Sequence, residues 1–143
     1  MAIFDDPLHD EFGSWILGFA PYGGGDVGEV QYLATQVKAG DDDSFFDAFL
    51  ALAKNLIAEA DAAAAGGHRR TARDCYLRAA AYNGVGYHPL YGTPVDPRLV
   101  DAFHLQMDTF AEAMALQDVP GEQLFELALD GAALDELARS PPW

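Results

Sequence analysis

The segment Gly67-His68-Arg69-Arg70-Thr71-Ala72-Arg73-Asp74-Cys75-Tyr76-Leu77-Arg78-Ala79-Ala80-Ala81-Tyr82 settles the architecture. Ala72, Cys75, Tyr76, Ala79 and Ala80 recur at helical spacing, so they share one face of a helix from about Arg69 to Asn83. Small residues on that face let a neighbouring helix approach closely. Gly66-Gly67 just upstream ends the preceding helix, because glycine accepts the left-handed conformation at a helix C-terminus. That preceding helix opens at Asp41-Asp42-Asp43-Ser44, where acidic groups complement the positive end of the helix dipole. It carries a wide apolar stripe of Phe45, Phe46, Phe49, Leu50, Leu52, Ala53, Leu56, Ile57 and Ala60. With so short a connection between them, the two helices are expected to pack antiparallel.

Working outward, Asp26 reads as an N-cap with Glu29 three residues on, as in a capping box. Val27, Val30, Leu33, Ala34 and Val37 continue that helix to Gly40. Downstream, Gly84, Gly86, Pro89, Gly92 and Pro94 make residues 84–95 read as a loop. Asp96-Pro97 restarts a helix with a cap and a proline in its first turn, and Leu99, Val100, Phe103, Met107, Phe110, Ala111 and Met114 line one face to about Gln117. Residues 1–25, punctuated by Pro7, Gly13, Gly18, Pro21 and Gly23-Gly24-Gly25, are expected to be an irregular segment packed on the bundle. Beyond Pro120-Gly121 the pattern fits either period. Phe125, Leu127 and Leu129 alternate before Asp130-Gly131, whereas Leu124, Leu127, Ala128, Leu134, Leu137 and Ala138 suit a helix. The expected fold is all-α, an antiparallel bundle of about four main helices with an irregular N-terminus and a short C-terminal β-hairpin. Its divisions are residues 1–25, 26–118 and 119–143.

Composition narrows the function classes. Half of the 143 residues are hydrophobic and 22% are charged, which suits a chain that buries a core. Eight Lys and Arg face 23 Asp and Glu, a net charge of −15 that repels phosphate backbones and anionic bilayers. Neither nucleic acid nor membrane is an expected partner. Cys75 is the single cysteine, so no internal disulfide or all-cysteine zinc site can form. The N-terminus lacks a basic, apolar leader, and the apolar run around Trp15–Tyr22 is broken by Gly18 and Pro21. A cytoplasmic location is the expectation.

Few motifs carry chemistry. Gly23-x-Gly25-x-x-Gly28 matches a dinucleotide-binding expression but lacks its βαβ context, so a turn and helix cap is the better reading. Asp41-Asp42-Asp43 lacks the alternating ligands and closing glutamate of a calcium loop. His104 and Asp108 share a helix face, but no second histidine joins them at metal-ligand spacing; no metal and no cofactor are expected. Cys75 sits among alanines, where an inert buried thiol belongs. Arg69, Arg70, Arg73 and Arg78 are half of all basic residues, and they mark a candidate docking surface for an acidic partner. Tyr82, Tyr87, His88 and Tyr91 cluster about the glycine- and proline-rich loop as candidate ligand-binding residues.

The order Gly24-Gly25-Asp26-Val27-Gly28-Glu29-Val30, then Gly40-Asp-Asp-Asp-Ser-Phe-Phe, then the Gly67–Tyr82 block and Pro97-Arg98 resembles a known arrangement. It is similar to the N-terminal helical domain of a branch of the α/β-hydrolases. That branch includes 2,6-dihydroxypseudooxynicotine hydrolase, the FrsA-like esterases and fungal polyketide-shortening hydrolases. The resemblance covers about residues 12–120. It implies a cap that precedes a catalytic domain and covers its active site, with residues 120–134 leading into that domain's first strands. Family members use a serine on a G-x-S-x-G elbow for ester or carbon–carbon bond hydrolysis. Only Ser14, Ser44 and Ser140 occur here, none on such an elbow, so no catalytic residue carries over and the chain is expected to be inactive alone. Asn83-Gly84 departs from relatives, which tend to have an aromatic and further helix there. The expected role is self-association, partner docking or covering a ligand site. The expected partner is a second copy in a homo-oligomer, most simply a dimer, or a separate hydrolase domain. The alternative is a stand-alone helical protein that binds a small aromatic or acyl ligand.

Overall fold

The computed structural model describes residues 2–117. Five α-helices follow one another: α1 (Pro7–Phe19), α2 (Val27–Gln36), α3 (Asp42–Ala65), α4 (Arg69–Gly86) and α5 (Pro97–Ala115). Short 3₁₀ turns at Ala20–Tyr22 and His88–Leu90 follow α1 and α4. Among the described residues there is no strand, and the chain is all-α as its periodicity requires. The expected C-terminal hairpin and the segment 119–143 lie outside the described residues.

The helix starts obey local chemistry. Asp6, Asp26, Asp41 and Asp96 each accept from backbone N–H groups of the first turn, relieving donors that a helix leaves unpaired. The capping box expected at α2 is rearranged. Glu29 turns to Arg78 at 3.5 Å, and the Asp26 N–H goes to the Tyr82 hydroxyl at 3.1 Å. At the α3–α4 junction the His68 N–H reaches Ala63 O and the Gly67 N–H reaches Ala64 O. Gly67 adopts φ +77°, which a side chain would resist.

Two expectations are corrected. Residues 1–25 are not irregular throughout, because α1 occupies thirteen of them. Asp6-Pro7 supplies its cap and first residue, and His9, Gly13 and Ile16 form its buried face at i, i+4 and i+7. Gly13 is there because the Phe4 ring lies where its Cβ would be. The expected loop at 84–95 also starts too early. α4 runs to Gly86, and its late glycines serve packing: a Cβ on Gly86 would stand 2.6 Å from the Phe49 Cβ. Among the described residues the bundle thus has five helices where about four are expected.

Helices α3 and α4 make the most extensive contact and run antiparallel. Phe49, early in α3, meets Tyr82 late in α4, while Ala60 meets Ala72 near the other end. The main core joins Phe4, Ile16, Val30, Leu33, Phe45, Phe49, Leu56, Tyr82 and Val85. Phe45 and Phe49 stack with centroids 4.3 Å apart, a geometry worth about 1 kcal/mol beyond area burial. α5 packs along α4 and also meets α3, with Asn83 donating to the Ala102 carbonyl at 2.5 Å and Ala113 beside Ala60. Arg98 ties the start of α5 to Asp96 and to Asp43 on α3, and lies 5.5 Å over the Phe46 ring.

Candidate functional site

Because α1 and α5 both lie on α4 but leave a space between them, the surface of α4 becomes the floor of a groove of about 460 Å³. Leu77, Ala80, Ala81, Gly84 and Val85 form this floor. Trp15 and Phe19 of α1, with Tyr22 from the turn after it, form one wall, Gln106 and Phe110 the α5 wall, and Tyr87 and His88 line one end. Apolar surface continues beyond it. Phe103, Met107 and Phe110 repeat at coiled-coil spacing along α5 and are about half exposed, and Tyr22 is 83% exposed. Among the described residues these exposed apolar side chains make this side the candidate interaction or ligand face.

The polar groups at the Tyr87–His88 end are held in fixed roles. His88 Nδ1 lies 2.7 Å from the Gly84 carbonyl. A carbonyl only accepts, so Nδ1 carries a proton and, in the neutral ring, Nε2 presents its lone pair. The ring is packed against Phe12, Trp15, Tyr87 and Tyr91, with centroids 5.0–5.4 Å away. Tyr87 stacks on it nearly parallel and donates its hydroxyl to Gln106 Oε1 at 2.7 Å. Burial pushes the Tyr87 phenol above its ordinary value, so it stays a neutral donor.

Of the four candidate ligand residues, Tyr87 and His88 reach the groove. Tyr91 packs edge-on to His88 from outside the lining. Tyr82 is fully buried; its hydroxyl accepts from Asp26 N–H and donates to Asp26 O, and desolvation pushes its ionisation up. Its place is in the core, three residues beyond Ala79 on the buried face of α4, so the reading of Tyr82 as a ligand-binding residue is corrected. The candidate arginines are also divided. Arg69, Arg70 and Arg73 line a small hollow with Leu116, where Arg69 donates to the carbonyls of Ala115 and Gln117. Arg73 pairs with Asp74. Arg78 points elsewhere, to Glu29 and the Cys75 Sγ. Cys75 is buried, and desolvation pushes its thiol up, away from nucleophilic character.

Sequence reasoning missed three features. Trp15 and Phe19 belonged to the segment read as irregular. Gln106 is an ordinary polar residue on an amphipathic helix until Gly84 is seen opposite it. His9, on α1, meets Asp42 at 2.9 Å and stacks on Phe45 at 4.8 Å. Such a His–Asp pair suggests a catalytic dyad, but His9 is 1% exposed, so it pins α1 to the start of α3. Ser14 and Ser44 bond back to the Glu11 and Asp41 carbonyls of their own turns. Among the described residues no helix is long and apolar enough to cross a membrane, and no three His, Cys, Asp or Glu side chains converge as a metal site.

No protein-family model matches the chain. Individual proteins do. The 20-hydroxy-prefusarin hydrolase of Gibberella moniliformis is 35% identical over 115 residues, covering 80% of this chain and 27% of that protein. A hydrolase of a Fusarium species is 35% identical over 103 residues, covering 72% of this chain and 25% of the relative. An α/β-hydrolase of an Acremonium species is 30% identical over 105 residues, covering 72% and 21%. The chain thus resembles fungal α/β-hydrolases along most of its length, and it spans about a quarter of the length of the curated relatives it matches.

Proposed function

We propose that this chain is a helical cap-type unit of an α/β-hydrolase, contributing a substrate-covering wall to a catalytic domain and no catalytic group of its own. The observation that carries this reading is the groove between α1 and α5, with the exposed aromatic side chains Trp15, Phe19 and Tyr22 on one wall and Phe110 on the other. The matching quarter of the fungal hydrolases supports it, as does the absence of a G-x-S-x-G elbow from the sequence.

Two measurements test the proposal. The pure chain is expected to turn over no p-nitrophenyl acyl ester. Mixed with the Gibberella hydrolase from which the matching quarter has been cut, it is expected to co-elute with that domain. Phe110→Glu places a charge on the rim and is expected to weaken co-elution at least tenfold while leaving the helical circular-dichroism signal intact. Ester turnover that tracks the pure chain, or co-elution indifferent to Phe110→Glu, overturns the reading.

Self-association through the same face is the second reading, favoured by the spacing of Val100, Phe103, Met107 and Phe110 on α5. Light scattering distinguishes it: a dimer that Phe103→Glu converts to monomer supports a second copy as the partner.

A further inference from the structure

We propose that the Tyr87–His88 end of the groove reads a neutral ligand whose polar head pairs one hydrogen-bond acceptor with one donor, as a carboxamide does. This rests on the reading that the groove covers a ligand, and it adds the chemistry of recognition.

Four residues build the site around one glycine. A Cβ on Gly84 would stand 2.5 Å from Gln106 Nε2, so the missing side chain is what admits the Gln106 amide onto α4. The Gly84 carbonyl orients His88 by accepting from Nδ1. Tyr87 orients the amide by donating to Gln106 Oε1. Each of these bonds consumes one end of a two-ended group. The Gln106 N–H donors remain, and the His88 Nε2 lone pair remains. Among the described residues neither has a protein partner, neither is an enclosed orphan, and both residues line the groove. The stacked Tyr87 ring separates the two, because its face rests on His88 and its hydroxyl ends at Gln106.

One donor beside one acceptor selects against other heads. A carboxylate finds donors on Gln106 alone, meets the His88 lone pair and enters the field of a chain of net charge −15. A cation finds one acceptor and repels the Gln106 N–H groups. A purely apolar head leaves both groups to be desolvated without return. A carboxamide donates to His88 and accepts from Gln106, while its apolar body lies on Trp15 and Phe110. The groove volume of about 460 Å³ suits a small ligand.

The test is a nuclear magnetic resonance titration of the full chain with four probes of one shape: benzamide, acetophenone, ethylbenzene and benzoate. Benzamide is expected to shift the Gln106 side-chain NH₂ signals and the His88 ring signals, and ethylbenzene to shift only the apolar wall. The preference for benzamide over ethylbenzene is expected to fall about tenfold in Gln106→Leu and again in His88→Phe, each variant removing one hydrogen bond. The unsubstituted protein alone decides the matter if a variant fails to fold, because the Gln106 signal reports contact directly. Binding of all four probes with no Gln106 or His88 response overturns the head-group pairing and leaves an apolar groove. Binding of none to the folded chain overturns the inference outright. The cap reading stands or falls separately on the Phe110→Glu co-elution.

Discussion

Tyr82 shows how one hydroxyl can hold two helices in register. It takes the N–H of Asp26 and returns a proton to the same residue's carbonyl. Tyr82→Phe keeps the ring in the core and orphans the Asp26 N–H. The expected loss is about 1 kcal/mol, read as a lower urea midpoint with an unchanged slope. Tyr76 makes a different prediction. Its hydroxyl donates to the Asp61 carboxylate, and that bond, with burial second, holds its ionisation up to about 12. The folded state keeps this proton more tightly than an unfolded chain, where tyrosine titrates near 10. The stabilisation is therefore complete below pH 10 and is lost as pH rises through about 12. Urea unfolding of wild type and Tyr76→Phe at several alkaline pH values checks this: the gap between them is expected to narrow from pH 10 upward. Tyr82 is unchanged between the two proteins, so the difference isolates Tyr76.

At the level of elements, α1 carries two glycines with opposite expectations. Gly13 faces the Phe4 ring, and Gly13→Ala forces that buried side chain aside, at about 1–3 kcal/mol. Gly18 is exposed with nothing near its missing Cβ, and Gly18→Ala is expected to stabilise by about 0.5 kcal/mol through backbone entropy. Thermal melts of the two variants should move in opposite directions. The same pair explains what the sequence could convey. Caps and periods are local, so α3 and α5 are legible within a residue or two of their ends, and so is the start of α2, whereas α2 ends at Gln36, short of the expected Gly40. A glycine's meaning is not local. Gly13, Gly84 and Gly86 look like breaks until Phe4, Gln106 and Phe49 are placed against them. For that reason α1 was read as irregular and α4 as ending early. Tyr87 and His88 were legible as rings beside a loop, whereas Gln106 acquires its role only from contact with Gly84.

Across the whole molecule, the helices are not equally secured. α3, α4 and α5 are consecutive, antiparallel and in broad contact, so most of their neighbours lie close in sequence. α1 meets α4 and α2 more sparingly, held by Ile16, the Phe4 ring and the His9–Asp42 pair. Backbone amide exchange is expected to be slowest in α3 and α4 and faster in α1. Equal protection across all five helices would contradict this ordering. The consequence falls on the groove, whose two walls belong to units of different local stability. On the proposed reading of the groove, the α5 wall is the better secured one, and the wall bearing Trp15 and Phe19 is expected to open first. A ligand larger than the resting cleft would then enter by a subglobal opening of α1, and its apparent affinity would be reduced by the fraction of molecules so opened.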